Sequence, residues 1–478
     1  MSAKRYDAVV VGSGPNGLAA AITLAKAKRS VALFEAASTV GGGMRSAELT
    51  LPGFVHDVCS AIHPLARASP FFAMLDLEGR GLEWIEPPIS LAHPLDDGSA
   101  ALVTRDVEAT AASLGLDGPA YRRFIGPNLA HWDSLIDDVL APFHIPFQPD
   151  RAFGLARFGL GALQPASWLV RAFDDPPARA LLAGCAAHSM LRLEEPLSGA
   201  FAMLFLASAH AVGWPIARGG SSRIAEALAA ELTAHGGDVI TERRIDRLSE
   251  LPDHDVALLD VMPRQLLSIA RDRMGTRYAG GLRRYRYGPG AFKVDLALEG
   301  PIPWRNPDLM SAGTVHLGGT YEEIAASERE VAAGRNPEQP FVLLAQHSLF
   351  DSSRAPDGKH TVWAYCHVPN GSPVDMTDRI IDQIERFAPG LRDRILARHT
   401  MGPAQLEGYN PNYVGGDING GRQDLFQLFT RPTLRLDPYS TPDPAIFLCS
   451  SSTPPGGGVH GMCGHLAAKS VLKTRSQG

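Results

Sequence analysis

Residues Val9 to Ala36 read VVVGSGPNGLAAAITLAKAKRSVALFEA. Tyr6 to Val11 is a short run rich in branched residues, as a strand buried on both faces of a parallel sheet requires. Gly12, Gly14 and Gly17 follow, then a run of small and apolar residues with helical character, then a second strand, Ser30 to Phe34, ending at Glu35. In such a unit the first glycine permits the tight turn and the second lets a pyrophosphate approach the backbone. The third lets the helix pack closely on the strand, and the helix N-terminus offers positive dipole to the phosphates. Glu35 stands where a carboxylate can accept the hydrogen bonds of a ribose diol. Strand, glycines, helix, strand and acid in register predict a dinucleotide-binding Rossmann unit.

A chain of 478 residues can bury a large core and predicts two domains, one interrupting the other. Hydrophobic residues make up 45% and charged residues 20%, the balance of an ordinary globular protein. The net charge of −6 and the lack of a basic run argue against nucleic acid as a partner. Cys59, Cys185, Cys366, Cys449 and Cys463 form neither a disulfide framework nor paired metal-ligand spacing, so no metal is expected. With the first strand beginning at Tyr6, no signal or transit peptide is expected, and the setting reads as reducing and cytoplasmic. The most apolar segment, Leu197 to Trp214, carries Ser198, Ser208 and His210 and is short for a bilayer. It is expected to be a buried helix or a pocket wall rather than a membrane span. Peripheral contact with a membrane stays compatible with the composition.

Glu35 is followed by Ala36-Ala-Ser-Thr-Val40 and then Gly41-Gly42-Gly43-Met44-Arg45. This doublet-plus-arginine resembles the second fingerprint of the FAD-dependent oxidoreductases, a class that includes amine oxidases and phytoene desaturases. A dinucleotide with a long ribityl chain needs a second stretch of open backbone, and Arg45 can offset phosphate charge. Near the C-terminus Ile446 to Ala468 runs from an apolar strand through Pro454-Pro-Gly-Gly-Gly-Val-His460 into a small-residue helix. Such a turn points a helix N-terminus at an electron-rich group, which favours the negative charge of a reduced flavin. It is similar to the Cys-Gly-x-x-x-x-Pro-Gly-Gly-Gly-Val-x-Gly ending of phytoene-desaturase-like flavoproteins, including the branch called pyridine nucleotide-disulfide oxidoreductase domain-containing proteins. Ser450 replaces a glycine of that pattern, and His460 and His465 are departures from it.

Trp214 to Leu228 resembles the same family's step into a helix. Gly237 to Ile245 is expected to be a strand with Ile245 over the adenine, and Asp255 to Pro263 the strand that closes the unit. Despite the name of the branch, a redox cysteine pair is missing. The other glycine-rich candidate, Tyr287 to Phe292, lacks a third glycine, so a single nucleotide site, for FAD, is expected. The resemblance implies non-covalent FAD held by Gly12, Gly14, Pro15, Asn16 and Gly17, by Glu35 and Ala36, and by Gly42, Gly43, Met44 and Arg45. Ile245, Gly457, Gly458 and Val459 complete the expected contacts. Cys449 and Cys463 are expected to be small packing residues rather than points of covalent attachment.

The fold expected is α/β: a doubly wound, Rossmann-type FAD domain of the glutathione reductase and amine oxidase-like class with an inserted α+β substrate domain. Residues 1–64, 212–273 and 438–478 are assigned to the FAD domain. Residues 65–211, helical in character, and 274–437, containing an antiparallel sheet, are assigned to the substrate domain. On the strand His360 to His367, the residues Thr361, Trp363, Tyr365 and His367 share one face. Trp363, Tyr365 and His367, with His63 and His347, are the expected pocket residues, and the pocket is expected to be apolar.

The resemblance implies an oxidoreductase that takes hydride from a C–H of an apolar, isoprenoid or alicyclic, substrate. Electrons would pass to an acceptor such as oxygen or a quinone. A desaturation also needs a base for the second proton, and His460, within the flavin-edge motif, is the positional candidate. The alternatives are a flavin-dependent double-bond isomerase, an amine oxidase, and a non-catalytic protein that holds FAD for a partner.

Overall fold

Strand Tyr6–Val11 forms the centre of a five-stranded, wholly parallel sheet. The order is Ile446–Leu448, His254–Leu259, Tyr6–Val11, Val31–Phe34, Asp238–Ile240. The structure is a computed structural model and describes residues 4–475. Both faces of the sheet are covered, which explains why its strands read as continuous apolar runs rather than alternating ones. Ala8 and Val10 pack with Leu18, Ile22, Leu228 and Val471, from the helices Pro15–Lys26, Ser222–Ala234 and Met462–Arg475. Val9 and Val11 face the opposite way, toward Leu266, Tyr278 and Leu282. This is the doubly wound arrangement expected.

Small residues let the first and last of those helices approach closely. A β-carbon on Gly464 would lie only 1.7 Å from the carbonyl oxygen of Asn16. Sequence-distant segments are thereby locked together at the point where the glycine fingerprint opens.

A second, seven-stranded sheet has the order Ile395–Met401, Gly290–Leu298, His360–Val368, Val342–Ala345, Ala312–Leu317, Ile89–Pro94, Ala100–Val103. One face is sealed by helix Thr377–Phe387, whose Ile380, Ile384 and Phe387 pack on Val294, Leu296, Val362 and Ala364. The other face carries Lys293, Asp295, Trp363 and Tyr365 toward the interior of the molecule. Helices between 107 and 211 form a layer beside the sheet.

Residues 65–211, expected to be helical in character, also supply Ile89–Pro94 and Ala100–Val103 to the large sheet. That sheet is not wholly antiparallel: Ile89–Pro94 runs parallel to Ala312–Leu317, to which no hairpin binds it. The cover of the parallel sheet continues past residue 273. Met274, Tyr278, Ala279 and Leu282 belong to the apolar cluster on the parallel sheet, with helix Thr276–Arg283 supplying part of its cover. Helix Ser198–Ala211 occupies the apolar segment 197–214, and among the described residues no helix is long and apolar enough to cross a membrane.

Candidate active site

The fingerprint turn is built by close approach. Gly12 has φ of 97°, and a β-carbon on Gly17 would lie 1.9 Å from the Gly12 carbonyl oxygen. Only glycine fits where helix Pro15–Lys26 leaves the strand, which leaves Gly12, Gly14, Pro15 and Asn16 lining a cavity of about 610 Å³. The second glycine run lies against the first: Gly41 N–H donates to the Ser13 carbonyl at 3.0 Å, and Gly42 abuts Gly14. Gly42, Gly43, Met44 and Arg45 line the same cavity.

Glu35, 8% exposed, stands at one end of this cavity. Its carboxylate accepts from the Ser13 N–H at 3.0 Å, the Ser13 hydroxyl at 2.5 Å and the Ala37 N–H at 2.8 Å. Arg45 pairs with Glu35 at 3.1 Å and donates to the Thr39 carbonyl. Arg45 thus ties Glu35 to the second glycine loop while lining the cavity. Ala36 and Ile245 line this end too. The strand predicted to reach Ile245 stops at Ile240. Beyond it, the N–H groups of Glu242 and Arg243 donate to the carbonyls of Ala37 and Glu35, which brings Ile245 under the cavity.

Gly457, Gly458 and Val459 line another part of the cavity. A β-carbon at Gly457 would come within 2.4 Å of the Asn419 carbonyl oxygen, so this turn also demands glycine. His460 does not line the cavity. It is fully buried, its Nδ1 accepts from the Met462 N–H at 3.0 Å, and its carbonyl accepts from Ser69. Burial pushes its imidazole down to about 4. The structure makes it the residue that closes the turn into helix Met462–Arg475, not a base facing substrate.

From the glycine turns the cavity continues into an aromatic chamber walled by Phe205, Trp214, Leu343, Trp363 and Tyr365. Trp363 and Tyr365 meet edge to face at 5.2 Å, above the buried Lys293–Asp295 pair. His63 reaches the cavity with its Nε2 on the Ser221 hydroxyl at 2.9 Å. His347 and His367 lie outside it. His347 bonds the Ala61 carbonyl at 3.1 Å, and His367 is held by Glu328 at 2.8 Å. Alternation on the strand put His367 on the correct face, but the chamber ends before it.

Two cavity residues had no sequence signal as site residues. His188 follows helix Pro176–Ala187, stacks on Phe205 at 4.6 Å, and shares an Nε2–Nε2 hydrogen bond of 3.0 Å with His316. Burial drives His188 down to about 3. Asp260, at the end of strand His254–Leu259, accepts from the Gly17 N–H at 2.9 Å, and burial raises its carboxyl to about 7. A carboxyl at the end of a strand is invisible in sequence until the strand is placed beside the fingerprint.

The residues present fit FAD. Two glycine walls and a helix N-terminus meet an acid at one end, and an apolar chamber able to take a ring system opens from the other. The thiols are unsuited to covalent attachment. Cys463 donates to the Gly456 and Thr453 carbonyls, and burial pushes it up to about 12; burial likewise raises Cys449. All five cysteines are free, and no metal-ligating cluster exists among the described residues.

Residues 10–76 match the NAD(P)-binding Rossmann-like domain family. The chain is 27% identical to pyridine nucleotide-disulfide oxidoreductase domain-containing protein 2 of Rattus norvegicus, across 98% of this chain and 93% of that protein. Hydroxyneurosporene desaturase of Cereibacter sphaeroides is 31% identical over 46% of each chain. The fold is shared with putrescine oxidase, solved with putrescine bound, at a TM-score of 0.62 and 18% identity over 99% of both chains.

Proposed function

We propose that this chain, an FAD-dependent oxidoreductase related to the flavin desaturases, removes hydride from a C–H of an apolar, isoprenoid or alicyclic, substrate. The observation that carries this reading is the continuity of one cavity from the glycine turns into the aromatic chamber. Bound FAD supplies the two-electron acceptor at its ring system. The chain's own residues hold, orient and desolvate the substrate, which is most of what hydride transfer asks of a protein. Phe205, Trp214, Trp363 and Tyr365 exclude water and grip an apolar skeleton.

His188 is a polar group set into that wall. We assign it, in place of His460, the proton lost when the C–H oxidation ends in a double bond. Burial keeps its imidazole neutral at working pH, a weak base able to accept a proton but not to retain it, and His316 at 3.0 Å is held neutral as well. The runner-up is the isomerase, in which the same base and a reduced cofactor move a double bond without net oxidation. The free cysteines support a reducing, cytoplasmic setting, and a small apolar substrate and a separate electron acceptor are its expected partners.

Anaerobic mixing with candidate apolar substrates tests the reading. Bleaching of the flavin absorbance with formation of an unsaturated product is expected. Turnover without bleaching would replace oxidation with isomerisation, and rapid bleaching by NADPH alone would require a second nucleotide site.

A further inference from the structure

Helix Pro149–Ala162 wears its apolar residues on the wrong side. Phe158 and Ala162 pack inward on Leu135 and Met203, yet Phe153 and Leu160 are 63% and 71% exposed on the outer face. A surface helix ordinarily turns a polar face outward. The loop before it extends Phe143, Ile145 and Phe147 into solvent, and Trp168 lies exposed just beyond. Phe143 contacts Phe429 edge to face at 5.4 Å, which joins this face to a second exposed group, Phe426, Leu434 and Leu436. An apolar surface of this extent on a folded chain marks an interaction site.

That second group borders a broad cleft with a surplus of positive charge, five arginines against Glu195, Asp424 and Asp437. Arg277, Arg284 and Arg435 line it, exposed and without an ion-pair partner among the described residues. The segment 274–286 holds four arginines and neither Asp nor Glu, in a chain whose net charge is −6. Arg157 adds an exposed charge on the aromatic helix itself, without an ion-pair partner among the described residues.

We infer that this face docks on a lipid bilayer carrying anionic headgroups. Aromatic and aliphatic side chains enter the acyl boundary, while the arginines meet the headgroups. A second copy of the chain fits less well, because a twofold contact sets the same patch against itself and brings arginine toward arginine. The placement also shortens the route of an apolar substrate. The inner face of helix Pro149–Ala162 rests on Met203, and the helix carrying Met203 presents Phe205 to the chamber. Docking itself does not depend on the reaction proposed above.

The FAD-loaded full chain is sedimented with vesicles of phosphatidylcholine alone and with an equal mixture of phosphatidylcholine and phosphatidylglycerol. Binding to the mixed vesicles is expected, with release as salt is raised. The outward-pointing pair Phe147→Glu and Phe426→Glu, and separately Arg277→Glu with Arg284→Glu, should each weaken partition by about tenfold or more while flavin absorbance is retained. Protein that stays in the supernatant with every vesicle overturns the inference, as does wild-type partition by both variant pairs. A concentration-dependent dimer, dispersed by the phenylalanine pair and indifferent to lipid, would assign the face to a second copy instead.

Discussion

Asp260 Oδ2 accepts a hydrogen bond from the Gly17 N–H at 2.9 Å, placing a carboxyl on the opening turn of helix Pro15–Lys26, where a dinucleotide phosphate is expected. Burial lifts this acid to about 7, and nearby Glu35 pushes it the same way. Protonated, it is a neutral neighbour for a diphosphate; ionised, it repels one.

Asp260→Asn should therefore remove a pH dependence. In the wild type the folded acid holds its proton more tightly than the unfolded one. Its stability contribution is present below the ordinary carboxylate range and is lost as pH rises toward about 7, at most about 1.4 kcal/mol per pH unit. FAD affinity of the apoprotein should weaken between pH 6 and 8.5 in the wild type and stay level in the variant. Parallel titrations at the two pH values decide; equal slopes would show that Asp260 is already ionised or remote from the phosphates.

Glu35→Ala removes a carboxylate that also anchors Ser13 and Arg45. Charge-assisted hydrogen bonds contribute about 1.5–3 kcal/mol, so FAD affinity should fall roughly ten- to hundredfold. Unchanged affinity would place the ribose elsewhere.

His460→Ala and His188→Phe should separate structure from chemistry. The first frees the Met462 N–H in a buried turn and should cost about 1–3 kcal/mol of stability. The pH profile of flavin reduction should not change. The second should keep flavin bound and slow substrate-driven reduction by roughly 10²- to 10⁴-fold, the range of a lost acid–base group. Rapid-mixing reduction and thermal unfolding of both variants give the comparison; full activity in His188→Phe would remove it from the mechanism.

Acid should unfold the protein early. His56, His63, His93, His188, His316, His347 and His460 are all held below their ordinary value by burial, most of them near 4 or lower. Each is neutral when folded and takes up a proton on unfolding. Stability is thus complete above about 6.5 and falls by up to about 1.4 kcal/mol per histidine per pH unit below it. A denaturant series should show a steep loss between pH 6.5 and 4; a flat profile would mean that the histidines are reached by water.

Much of the nucleotide half of the molecule was legible in the chain. Gly12, Gly14, Gly17 and Glu35 act through local geometry: a turn, a helix start and a strand end, each set by neighbours in sequence. Gly42 and Gly457 were readable for the same reason, since a backbone that must pass within van der Waals contact of another tolerates no β-carbon. Alternation likewise placed Trp363 and Tyr365 on one face of their strand.

What the sequence by itself determined is thus the doubly wound unit, its three separated strand-bearing stretches and the glycine turns that line one cavity. Only the tertiary structure decided which polar residues face that cavity. Arg45 lies two residues beyond a glycine pair, yet its partner is Glu35; His460 sits inside the flavin-edge motif, yet turns away to bond Met462. His188 and Asp260 belong to no motif and reach the site because a helix end and a strand end converge there. A turn is specified by the few residues that form it. The direction of a buried side chain is specified by everything packed around it, much of which lies more than a hundred residues away.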